Sequence, residues 1–114
     1  MKMKPRVKAL WLAALRSKRY LQGKGQLRTR PRKDRAHRYC CLGVLTACYA
    51  KAVPSRAADA ERSLNSNLTL TPAVIAWAGF ESDHIPLTSC GSLSGLNDSG
   101  STFEEIADLI EADL

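Results

Sequence analysis

The chain has 114 residues, 45% of them hydrophobic and 25% charged, with a formal net charge of +6. That length suits one domain, residues 1–114, with one modest core that needs no disulfide staples. No apolar run approaches the roughly 20 residues of a membrane-spanning helix, and the short run Ala9–Leu15 meets Arg16, Lys18 and Arg19 with no cleavage-site pattern, so a cytoplasmic protein is expected rather than a secreted or membrane one.

Charge is divided unevenly along the chain. Residues 1–38 carry 14 Lys/Arg and one acid, Asp34, a net +13, whereas residues 39–114 carry 3 Lys/Arg and 10 acids, a net −7. Such a split points to an anionic partner for the first part. The competing reading is that acidic helices pack near the basic segment and neutralise part of it.

Pro5 suits a first helical turn, and Val7, Leu10, Trp11, Ala14 and Leu15 repeat at helical spacing, which predicts an amphipathic helix of about three turns. Trp11 suits the core better than base stacking. Two short β-type runs in Tyr20–Thr29 flank Gly23 and Gly25 and read as a hairpin. Residues 30–35 form a charged loop, and His37 to Cys40 return as a further strand. Arg38 to Ala50 is the longest apolar run. Within it Cys41, Val44, Leu45, Cys48 and Tyr49 share one helical face, so the rest of the chain is expected to pack around this helix.

Pro54 then breaks the pattern. Residues 57–66 are small and polar, enough for one helical turn, and 52–70 reads as a variable insert. Leu68–Leu70 suggests a short strand. Thr71 and Pro72 start a helix with Val74, Trp77 and Ala78 inside, and Gly79 ends it. Residues 81–91 read as loop, 92–96 as a short helical turn, and Asn97–Gly100 as a turn. Ser101 and Glu104 offer a capping box for a last helix. Its buried stripe would be Phe103, Ile106, Ala107, Leu109 and Ile110, with Glu104, Glu105, Asp108 and Glu111 outward. The architecture expected is a small α+β domain, three to four helices packed with a short antiparallel β-hairpin sheet.

Three chemistries fit these residues. In the first, Arg16, Lys18, Arg19, Lys24, Arg28, Arg30, Arg32, Lys33, Arg35 and Arg38 make a positive surface, with Tyr20 and Tyr39 able to stack on a base. Its target would be nucleic acid, a nucleotide or an acidic protein face, and no recognised nucleic-acid motif is present. Asn97 and Asp98 would line a pocket by reaching across to the cysteine helix, where Gly43 permits close approach; the plainer reading of both is a turn. In the second, Cys40 or Cys41 at a helix N-terminus beside Arg38 becomes a thiolate nucleophile, with His37 or His84 as base and Asn97 or Asp98 orienting it. In the third, His37, Cys40, Cys48, His84 and Cys90 supply zinc-ligand types. Their spacing matches no zinc module, so neither metal nor cofactor is expected.

Three stretches carry a family likeness: Trp11–Ser17 with Tyr20–Gly23, then Tyr39–Leu45, then Leu96–Glu111. In this order the chain resembles small proteins of tailed bacteriophages and prophages that carry no assigned function. It is more loosely similar to an actinobacterial family of unknown function with a Cys-x-x-Gly-Ala-Leu helix and a Trp-Asn-Asp turn, where Leu96 here stands in place of the Trp. The resemblance covers most of the chain outside 52–70 and implies a genomic setting, not a mechanism. The leading expectation is a non-enzymatic phage accessory protein that binds an anionic target and interferes with a host process such as antiviral defence. One alternative is a cysteine-dependent hydrolase or transferase. Another is a partner-binding module using the acidic last helix.

Overall fold

In the computed structural model, residues 3–23, 26–29, 37–66, 70–80, 87–88 and 91–114 are described. Helix α1 (Pro5–Arg16) begins at a proline whose missing N–H would have had no intrahelical acceptor. It buries Val7, Trp11 and Leu15. Leu10, expected in the same stripe, is 42% exposed. The Trp11 indole N–H donates to the Cys41 carbonyl at 3.0 Å, which satisfies the one polar atom of a wholly buried ring.

The hairpin expected over Tyr20–Thr29 does not form. Strand β1 (Leu21–Gln22) pairs in parallel with β3 (Arg38–Tyr39), and β2 (Arg28–Thr29) pairs antiparallel on the other edge of β3. The sheet is therefore mixed, with order β1-β3-β2. Leu27 is the physical reason. It is fully buried, and its carbonyl accepts from the Cys40 N–H at 3.1 Å, which anchors β2 to the start of the next helix and away from β1.

Helix α2 (Cys41–Ala52) follows at once. Every residue from Cys41 to Tyr49 is buried, so this part of the helix is enclosed on all faces rather than along the one stripe its spacing suggested, and only the last turn is open. Cys40 is its N-cap, and its sulfur accepts from the Gly43 N–H at 3.4 Å. Helix α3 (Ala57–Ser66), entered through a 3-10 turn at Pro54–Arg56, has ten residues where one turn was expected. Ala60 and Leu64, four apart, are enough to seat it on the core.

Helix α4 (Pro72–Ala78) ends at Gly79 in the left-handed region, φ 90°, as anticipated. Ile75 is buried where Trp77 was expected; Trp77 is half-buried and meets Tyr49 edge-on at 5.4 Å. Strands β4 (Leu87–Thr88) and β5 (Gly91–Ser92) pair antiparallel where residues 81–91 read as loop and Ser92 as the start of a helical turn. Asn97 and Asp98 close helix α5 (Leu93–Asp98) instead of forming a free turn. The capping box of helix α6 (Phe103–Asp113) lies one residue later than expected: Thr102 Oγ1 accepts from the Glu105 N–H at 3.2 Å, and Glu105 accepts from the Thr102 N–H at 3.0 Å.

The result is a compact α+β domain. Its radius of gyration is 12.9 Å, close to the roughly 13 Å of a single domain this long. Six α-helices occur among the described residues, more than the three to four expected. The strand anticipated at 68–70 falls mainly outside the described residues. Among those described, no helix is long and apolar enough to cross a membrane.

Candidate functional site

Asn97 does reach the cysteine helix, but as a clasp. Its side chain is fully buried. Oδ1 accepts from the Cys41 N–H at 3.2 Å and from Gln22 Nε2 at 3.0 Å, while Nδ2 donates to the Gly23 carbonyl at 2.7 Å. Gln22 also donates to the Ser101 carbonyl at 2.6 Å and accepts from the Phe103 N–H at 3.2 Å. One amide pair thus ties β1, α2, α5 and the start of α6 together. Gly43 permits a close approach, as anticipated, but the approaching group is the backbone of Leu27, the residue before β2: a Cβ at Gly43 would lie 2.7 Å from the Leu27 carbonyl carbon. Asp98 is exposed at the end of α5.

Among the described residues, the cysteines are buried where a thiolate is disfavoured. Cys41 is fully buried and Cys40 nearly so. Burial pushes both thiols up, and for Cys41 the adjacent Cys40 adds to the shift. Backbone N–H groups at the helix start favour the thiolate but are outweighed by desolvation. Cys48 is pushed up to about 11, again by burial. His37 sits on the exposed side of the sheet with Nδ1 3.2 Å from the Thr29 carbonyl. The helix-start stabilisation that the thiolate alternative relied on is thus outweighed by burial at Cys40 and Cys41. Among the described residues, no three His, Cys, Asp or Glu side chains gather as a metal site; His84 and Cys90 lie outside them.

The basic residues separate into two groups. Arg16 faces α6, with Nη2 2.8 Å from Asp108 and Nη1 3.3 Å from Glu111, and Lys8 Nζ donates to the Glu111 carbonyl. Arg28, expected on an anion-binding surface, is buried. It grips Glu61 at 2.8 and 3.3 Å and Asn65 at 2.6 Å. The Glu61 carboxyl is held below its ordinary range by the hydrogen bond from Arg28. In both places an acidic helix neutralises part of the basic segment. Lys18 and Arg19, by contrast, are exposed and have no ion-pair partner among the described residues. Lys18 has φ 63°, a strained left-handed position just past the end of α1. Arg38 is exposed on β3. Lys24, Arg30, Arg32, Lys33 and Arg35 lie outside the described residues.

Beside Arg19 opens a groove of about 640 Å³ between the C-terminal halves of α1 and α2. Leu10, Ala13, Ala14 and Ser17 form one wall, and Cys48 and Ala52 the other. Arg19, Tyr20 and Lys51 complete the lining. The Lys51 ammonium is 5.8 Å from the centre of the Tyr20 ring, and that ring meets Tyr39 edge-on at 4.9 Å. No carboxylate is in the lining. Sequence reading named Arg19 and Tyr20 but missed Leu10, Ala13 and Lys51 as surface features. The available signal was the small-residue pair Ala13–Ala14 and the one lysine of a net-acidic half.

No curated protein and no solved structure matches the chain. A family model does, from residue 3 to residue 114. With essentially the whole fold inside that match, clasp and groove included, the chain belongs to the family described as Domain of unknown function (DUF8296).

Proposed function

We propose that this protein is a non-enzymatic accessory protein of a phage or prophage that binds an anionic partner in the host cytoplasm and so interferes with a host process such as defence. The phage setting rests on the sequence resemblance. The binding reading is carried by one observation: Arg19 and Lys51 line the groove with Tyr20 and no carboxylate is in that lining, while Arg16 and Arg28 are already neutralised within the fold. Charges left unpaired at a surface cleft attract an oppositely charged partner and set its approach. Buried thiols with raised pKa values favour binding over cysteine catalysis. The acidic α6 is the weaker partner face, because Asp108 and Glu111 already hold Arg16.

The test is fluorescence anisotropy at low salt with a labelled single-stranded oligonucleotide, a labelled duplex, a labelled nucleoside triphosphate and a labelled acidic peptide. Binding of at least one probe is expected, weakening as salt is raised and lost in Arg19→Glu/Lys51→Glu. Failure of all four probes at low salt overturns the reading.

A further inference from the structure

We infer that the groove between α1 and α2 seats about two turns of an acidic amphipathic helix from a protein partner, its apolar side chains in the groove and a carboxylate between Arg19 and Lys51. This rests on the anionic-partner reading above and narrows it to one class. Shape is the first argument. From Leu10 to Ser17 the α1 wall runs about 10 Å, two helical turns. Ala13, Ala14 and Ala52 line it with small side chains, which let another helix approach closely. Leu10, 42% exposed at one end, is an apolar contact with nothing over it among the described residues. Amphipathic helices are recognised by grooves of this kind through anchors at i, i+3 or i+4, and i+7.

Polarity decides between a helix and a nucleotide. Ser17 Oγ already donates to the Ala14 carbonyl and accepts from the Arg19 N–H, and the Cys48 thiol points to the Leu10 carbonyl at 3.9 Å. The walls therefore offer few spare groups to satisfy the edge of a base, whose polar atoms would be left unpaired. A helix keeps its backbone bonds internal and presents only side chains. The C-terminal ends of α1 and α2 both lie near the groove and disfavour an anion, so the carboxylate must be held by Arg19 and Lys51 themselves. A second copy does not supply this helix from α6. That helix is acidic outside, but Phe103, Ile106, Ala107 and Ile110 are buried in its own core.

Selection from a displayed library of helix-forming peptides against the full chain tests the inference, with synthetic versions of the enriched peptides measured by anisotropy. Enriched sequences are expected to combine apolar residues at helical spacing with Asp or Glu. Affinity is expected to fall at least about tenfold, the equivalent of one good charged contact, in Ala13→Trp and again in Arg19→Glu/Lys51→Glu. Ala13 is exposed, so its tryptophan fills the groove without entering the core, and circular dichroism checks the fold. No enrichment, enrichment of basic or uncharged peptides, or binding unchanged in Ala13→Trp overturns the inference. Oligonucleotide and nucleotide arms run in parallel. If they bind and peptides do not, the groove inference falls while the wider reading stands; if neither binds, both fall.

Discussion

Two regions of this protein share helix α2 and could hardly differ more in how their polar groups are settled. At the junction with the sheet, two backbones touch at Gly43 and Leu27, and the Asn97 and Gln22 amides are engaged on both their oxygen and nitrogen. At the groove, the last turn of the same helix exposes Lys51 and Ala52, and Arg19 across from them has no ion-pair partner among the described residues. A saturated junction resists change because each group removed leaves another unsatisfied. An open groove tolerates change in the fold and registers it only in binding.

The largest effect is expected at Gly43. Alanine there favours the helix by about 1 kcal/mol, but its Cβ must displace the Leu27 backbone, so Gly43→Ala should destabilise by about 3 kcal/mol or more in urea unfolding. If stability were unchanged, the close approach would not be part of the fold. Asn97→Ala comes next. It strands the Cys41 N–H, the Gly23 carbonyl and one contact of Gln22, a loss of about 2–3 kcal/mol by the same measurement.

Glu61→Gln should have a smaller effect, about 1 kcal/mol at neutral pH, because Glu61 itself is mostly exposed. Its signature is the pH dependence. Arg28 depresses the folded-state carboxyl below its ordinary value of 4.5. The contribution is therefore complete above that value and is lost as pH falls through the lower, folded one. Wild type should lose stability on acidification there, and Glu61→Gln should lose less. Lys18→Gly, one residue before the groove residue Arg19, reverses the sign. Glycine relieves the strain of φ 63°, with a gain below about 1 kcal/mol in thermal unfolding. The same change removes a cation, so weaker anion binding by a more stable protein would separate the two regions cleanly.

Helix starts and stops were legible wherever a single residue carries the signal. Pro5, Pro72 and Gly79 act through their own φ or missing N–H, and the tertiary structure leaves them in place. The box at α6 was legible in kind but not in register, since Ser101-Thr102 followed by Glu104-Glu105 offers two equivalent frames. In the frame that forms, Phe103 opens the helix, and its N–H, which has no intrahelical acceptor there, donates to Gln22. Residues 57–66 hold too few apolar side chains to announce more than one helical turn, and the signal lies in the spacing of two of them. Ala60 and Leu64 alone fix its inner face, and Arg28 braces its outer one through Glu61.

The sequence by itself determined the α+β composition, the central place of residues 41–49 and the division of charge, because each follows from side-chain chemistry within a local window. Only the tertiary structure decided which cations are neutralised and which face outward. Arg16 and Arg28 meet carboxylates 92 and 33 residues away, whereas Arg19 and Lys51 meet at a groove. Pairing over such distances depends on how helices pack, and nothing in a charge's own neighbourhood along the chain specifies it.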